Sequence, residues 1–135
     1  MQLINYIQIL RPLNLLISAL CVLLSAFILN QLTVNLLPII LVVLLLAGFS
    51  NILNDIIDYK IDTANNLDRP VSSNLISIKA AILYAILLLL FGCIIAFTFN
   101  SITKSLIFFA IIPLLILYTP IFKKIPLIGN LVVSF

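Results

Sequence analysis

Histidine and tryptophan are absent from this 135-residue sequence, glycine occurs only three times, and charged residues make up just 8% of it. With 64% hydrophobic residues and a mean hydropathy of +1.38, these shortages exclude the soluble globular class and place the chain in a bilayer. The two cysteines, Cys21 and Cys93, lie apart in apolar runs without metal-type spacing, so they read as small packing residues. No internal repeat, linker or low-complexity tract interrupts the chain. Nothing before Leu13 has the form of a cleavable signal, because Arg11-Pro12 leads straight into an apolar run with no small-residue cleavage site after it. The seven basic residues are explained as topology signals, and no nucleic-acid partner is supported.

What is present is a series of long apolar runs. A helix crossing about 30 Å of hydrocarbon needs about 20 residues, and four runs are read as spans: Leu13 to Leu29, Leu36 to Ile57, Ala80 to Phe99 and Leu106 to Phe122. A fifth begins near Leu127 and is cut off at Phe135. The expected fold is therefore all-α, a polytopic transmembrane helix bundle with four complete spans and the start of a fifth. Residues 1–11 alternate polar and apolar and suit a short interfacial helix, with Pro12 marking the turn into the membrane. Pro113 is expected to kink the fourth span. Arg11, Lys60, Arg69, Lys79, Lys123 and Lys124 fall on one side of these spans and only Lys104 on the other. Basic residues near span ends stay cytoplasmic, so the N-terminus, the acidic loop and the Lys123-Lys124 loop are expected in the cytoplasm.

All four acidic residues fall in the fifteen-residue stretch from Asn54 to Asp68. Asp55, Asp58 and Asp62 stand at i, i+3 and i+7, so in a helix their carboxylates project from one face. Three close carboxylates repel unless a cation sits between them. One or two carboxylates, with the remaining positions left to water and phosphate oxygens, is the usual Mg²⁺ arrangement. A diphosphate is the ligand this suggests.

The run Asn54-Asp55-Ile56-Ile57-Asp58-Tyr59-Lys60-Ile61-Asp62, at the end of a membrane span, resembles the first aspartate-rich motif of the UbiA superfamily of intramembrane prenyltransferases. Asp68-Arg69-Pro70 resembles the ending of that motif, and Arg11-Pro12-Leu13-Asn14 its R-P-x-N opening. The stretch from Tyr118 through Lys123 to Asn130 is similar to the family's tyrosine-then-lysine loop and the helix after it. The resemblance covers the whole chain, and the aspartate motif is its most specific part.

The resemblance implies a Mg²⁺-dependent transferase that moves a prenyl group from a prenyl diphosphate to a lipophilic acceptor within membrane lipid. Mg²⁺ held by Asp55, Asp58 and Asp62 would neutralise the diphosphate as it leaves. Asp58 and Asp62 are also the catalytic candidates, and Tyr118 would face the allylic cation. Arg69 and Lys123 would contact phosphate oxygens, and Asn14, Asn51 and Asn54 would complete the substrate site. The wording of the motif and of Lys124-to-Ser134 is most similar to the branch that prenylates geranylgeranylglyceryl phosphate, or to chlorophyll synthases. Heme and 4-hydroxybenzoate prenyltransferases share the motif in outline.

Each residue also has a plainer reading. Asp68 before Arg-Pro suits a turn, Lys123 and Lys124 serve topology, and Tyr118 suits an interfacial anchor. Asn14, Asn51 and Asn130 either bond across helices or line a cavity. Family members have nine membrane helices and a second aspartate motif, whereas no Asp or Glu follows Asp68 here. Residues 1–135 are therefore expected to be the N-terminal part of a prenyltransferase domain, in the cytoplasmic membrane, completed by a missing C-terminal half. A non-catalytic fragment that only binds prenyl diphosphate is the competing class. Val71-Ser72-Ser73-Asn74 replaces the small-residue turn usual after Arg-Pro, with Asn able to take the left-handed conformation in place of glycine.

Overall fold

The computed structural model describes residues 2–33, 36–118, 120 and 121. Among these every regular element is helical: α1 (Gln2–Gln8), α2 (Pro12–Ile28), α3 (Leu36–Ile57), α4 (Tyr59–Ala64), α5 (Ile78–Ala96), α6 (Ser101–Leu106), a π-helical turn over Ile107–Ile111, and α7 (Ile112–Tyr118). The chain divides after Ile95 into two compact units.

The first unit is built on α3, whose 22 residues match the expected span end to end. Its apolar residues run all round the helix, so neighbours can pack on several sides. α2 packs against it. On another side Gly92 of α5 lets the helices approach, since a Cβ there would lie 3.4 Å from Leu46 Cδ2. Gly48 serves both α5 and the segment before α2, its missing Cβ leaving room for Leu10 Cδ2 at 3.1 Å and Leu88 Cδ1 at 3.2 Å. Ile9, Val42, Leu46, Ile52, Ala81 and Ala85 form the buried apolar centre. α1 joins it through Tyr6, whose ring meets Tyr84 of α5 edge-on at 5.7 Å. Leu3, Ile4 and Ile7 on α1 remain exposed, as the interfacial reading of this helix requires.

α2 is an apolar helix of 17 residues, and three longer helices are apolar enough to cross a membrane: Leu36–Ile57, Ile78–Ala96 and Ser101–Tyr118. Leucines and isoleucines exposed along these helices are the surface a lipid chain would cover. The third run was expected over Ala80 to Phe99 and the fourth from Leu106. The boundary falls earlier because the Asn100 side chain accepts a hydrogen bond from Thr103 N at 2.8 Å and starts α6 at Ser101.

In the second unit α6, the π-helical turn and α7 follow without a break. The wide turn ends just before Pro113, which has no N–H to donate and whose ring crowds the carbonyl four residues back. Phe97 and Phe108 pack at 4.8 Å within this unit. The expected start of a fifth span near Leu127 lies outside the described residues, as do Lys123 and Lys124.

Candidate functional site

α3 carries a polar stripe at helical spacing, and three of its positions grip the joint between α1 and α2. Gly48 accommodates the Leu10 side chain. One turn on, Asn51 Nδ2 donates to Leu10 O at 2.8 Å. After another turn, Asp55 Oδ1 takes the guanidinium of Arg11 at 2.5 Å. Arg11 holds a left-handed backbone, φ 54° and ψ 74°, directly before Pro12 at the head of α2. A residue with a Cβ adopts that conformation only where its surroundings hold it there.

The stripe runs on past the end of α3. Asp58 sits at a bend between α3 and α4, yet Asp58 N donates to Asn54 O at 2.9 Å and Asp62 N to Asp58 O at 2.8 Å, so the helical progression continues through it. Asp55, Asp58 and Asp62 are 2%, 7% and 4% exposed. Burial of this degree is not that of carboxylates solvated in a loop, and a buried charge is tolerated only when paired. For Asp55 and Asp62 the pairing comes from two arginines. Arg69 Nη1 lies 2.7 Å from Asp62 Oδ2 and 3.4 Å from Asp55 Oδ1, so one guanidinium spans two carboxylates while Arg11 also holds Asp55 Oδ1.

Arg69 is placed by a loop that bonds mostly to itself. Leu67 N donates to Asp62 O, Ser73 N to Arg69 O and Ile76 N to Pro70 O, at 3.0, 2.9 and 2.9 Å. Buried Ser72 accepts from Arg69 N at 3.3 Å and donates to Leu67 O at 2.7 Å. Val71 and Ile76 anchor the loop in the apolar centre. Asn74 takes a left-handed φ of 55°, so asparagine fills the turn after Arg69-Pro70 in place of glycine as expected, and Asn66 is left-handed too, at 52°. Asp68 is exposed, in keeping with a turn residue.

Not every candidate joins this cluster. Asn51 uses its amide nitrogen to bond across segments, the alternative to lining a cavity. Asn14 is exposed on α2, and its carbonyl accepts from Ser18 Oγ at 2.9 Å. Tyr118 ends α7 in the second unit, half-buried. Arg11 and Ser72 were not among the candidates. The R-P-x-N opening was a signal for the first, while nothing in the sequence pattern distinguished Ser72.

The donor set suits a hard cation. Asn54 Oδ1 is buried without a hydrogen-bond partner, and an amide oxygen left so is an available ligand. Among the described residues no three carboxylates converge to enclose an ion by themselves. An ion here would take one or two carboxylates and the amide oxygen, leaving its other positions to water and phosphate, as Mg²⁺ ordinarily does.

Comparison with known proteins gives the chain a family. The profile of the UbiA prenyltransferase family matches residues 14–135. Proteins named digeranylgeranylglyceryl phosphate synthase are similar to the chain. The one from Methanosarcina mazei is 41% identical over 72% of this chain and 33% of its own length. Those from Methanospirillum hungatei and Methanobrevibacter smithii are 37% and 33% identical over 96% of this chain and 47% of theirs. The chain thus spans a third to a half of the length of these relatives, and matches their N-terminal half. No solved structure matches it.

Proposed function

Because the chain belongs to the UbiA prenyltransferase family, we propose that it carries the diphosphate-binding part of an integral membrane enzyme that transfers a prenyl group to a lipophilic acceptor. The acceptor we propose is geranylgeranylglyceryl phosphate, on the strength of the relatives' name. The observation that supports the reading best is the buried acidic stripe, with Asp55 and Asp62 paired by two arginines, at the end of a helix long enough to span a membrane. A prenyl diphosphate joins an apolar tail to a headgroup of about three negative charges, so its enzyme needs cations beside a lipid-facing wall.

Asp55, Asp58 and Asn54 are proposed to hold Mg²⁺, with Asp62 at the edge of the set. When bound, Mg²⁺ supplies Lewis-acid neutralisation of the departing diphosphate. Arg69 turns its fork to phosphate oxygens, which a planar guanidinium matches in two-point fashion. Ser72 keeps the Arg69 loop in shape, and Asn51 holds the joint before α2. The apolar helices keep water from the reacting carbon. The roles of Tyr118, Lys123 and Asn14 rest on the family resemblance alone.

We also propose that α2 is the first of four spans, its length of about 26 Å extended by flanking residues. The acidic stripe then faces the cytoplasm, because the basic residues gather on that side. The direct test of activity joins residues 1–135 to the C-terminal half of a related synthase and supplies a prenyl diphosphate with competing acceptors. Transfer to geranylgeranylglyceryl phosphate that is lost on Asp58→Ala is expected. Preference for 4-hydroxybenzoate or a tetrapyrrole would reassign the acceptor.

A further inference from the structure

Arg11 and Arg69 are the only arginines of the chain, and both face Asp55 Oδ1. The reading above gives Arg69 to the diphosphate and leaves Arg11 without a function. We propose that Arg11 is a positioning residue that serves as a built-in stand-in for the metal: it occupies Asp55 until a divalent cation binds, then yields that oxygen and turns to the diphosphate. This rests on the metal–diphosphate reading just given.

Three observations support it. The first is charge. Asp55, Asp58 and Asp62 with Arg11 and Arg69 carry one net negative charge, which a buried cluster tolerates. A divalent ion added without rearrangement would reverse that charge and set a third cation against the carboxylate that Arg11 and Arg69 already share. An arginine cannot relieve this by losing its proton, so its side chain has to move. The second is the freedom to do so, since the Arg11 side chain is 32% exposed while Asp55 is 2% exposed. The third is the backbone. Leu10, Asn51 and Gly48 hold the joint, and Arg11 stays in the left-handed region although it is neither Gly nor Asn. The joint therefore remains fixed while the side chain swings, so the guanidinium is delivered to the same place each time. The exchange also explains how three carboxylates fold into a membrane end before any metal is bound.

The test uses the full chain in detergent micelles, with Mn²⁺ binding followed by electron paramagnetic resonance and inorganic pyrophosphate binding followed by calorimetry. Arg11→Gln removes the competing charge, so Mn²⁺ alone should bind about five- to tenfold more tightly. Pyrophosphate in the presence of Mg²⁺ should bind more weakly, because a phosphate contact is lost. Arg11→Lys should fall between this variant and the unmodified chain in both measurements. Opposite signs in the two measurements are the signature, since mere structural damage weakens both. In the unmodified chain labelled with nitrogen-15 arginine, saturating Mg²⁺ should shift the Arg11 guanidinium signal, assigned by its persistence in Arg69→Lys. An Arg11 signal that stays put, or Mn²⁺ bound no more tightly by Arg11→Gln, would overturn the stand-in role while leaving the metal reading intact. An unmodified chain that binds neither Mn²⁺ nor pyrophosphate would overturn both.

Discussion

Arg69 Nη1 lies 2.7 Å from Asp62 Oδ2, an ion pair seven residues apart in sequence with its acidic partner almost fully buried. Removing one member of a buried pair strands the other charge, which costs about 3–5 kcal/mol where both are dry. Arg69 is 32% exposed, and Arg11 still compensates Asp55, so Arg69→Ala should cost about 2 kcal/mol. Arg69→Lys keeps the charge and loses the two-point reach, and should cost less. Unfolding in graded denaturing detergent measures both.

Ser72 shapes the loop through the bond it gives to Leu67 O and the one it takes from Arg69 N. Ser72→Ala removes both bonds from the loop, a loss of about 1 kcal/mol because Leu67 is itself exposed. Amide exchange across residues 67–76 should quicken, while the centre of α3 keeps its protection. Uniform quickening throughout the first unit would contradict this local role.

How far the sequence revealed the molecule depended on range. The ends of α3 were legible because Leu36–Ile57 is rich enough in apolar residues to span, with the acidic cluster beginning in its last turn at Asp55. The meeting of Asp55 and Asp62 on one guanidinium agrees with their helical spacing of seven. The pairing of Arg11 with Asp55 joins residues 44 apart, and no local period reports such a contact. Ser72 looked like any turn serine, since its value lies in carbonyls that only the folded loop brings near. α6 starts ahead of the apolar run because the Asn100 cap, and not apolar content, sets its first turn. The left-handed Asn74 was legible, since asparagine tolerates that backbone better than other residues with a Cβ.

That tolerance is itself testable. Asn74 has φ 55°, so Asn74→Gly should be neutral or slightly stabilising. Asn74→Val should cost about 1–2 kcal/mol through its branched Cβ. Equal stability of the two variants, read from thermal melting, would mean the turn relaxes freely.

Gly48 offers a check on the packing that positions Arg11. A Cβ would meet the flexible ends of Leu10 and Leu88, so Gly48→Ala should be accommodated at a cost of about 1 kcal/mol. Gly48→Leu has no such room. It should displace Leu10, loosen the Asn51 bond and lower pyrophosphate affinity along with stability.

The most direct test of the central claim is the binding of a prenyl diphosphate to the chain, with and without Mg²⁺, in the unmodified protein and in Asp55→Ala, Asp58→Ala and Asp68→Ala. Binding is predicted to require Mg²⁺ and to weaken about tenfold or more, at least 1.4 kcal/mol, in each of the first two variants. Exposed Asp68 lies outside the stripe, so Asp68→Ala should bind nearly as well as the unmodified chain. Equal losses in all three variants, or binding that survives removal of Mg²⁺ by a chelator, would contradict the account.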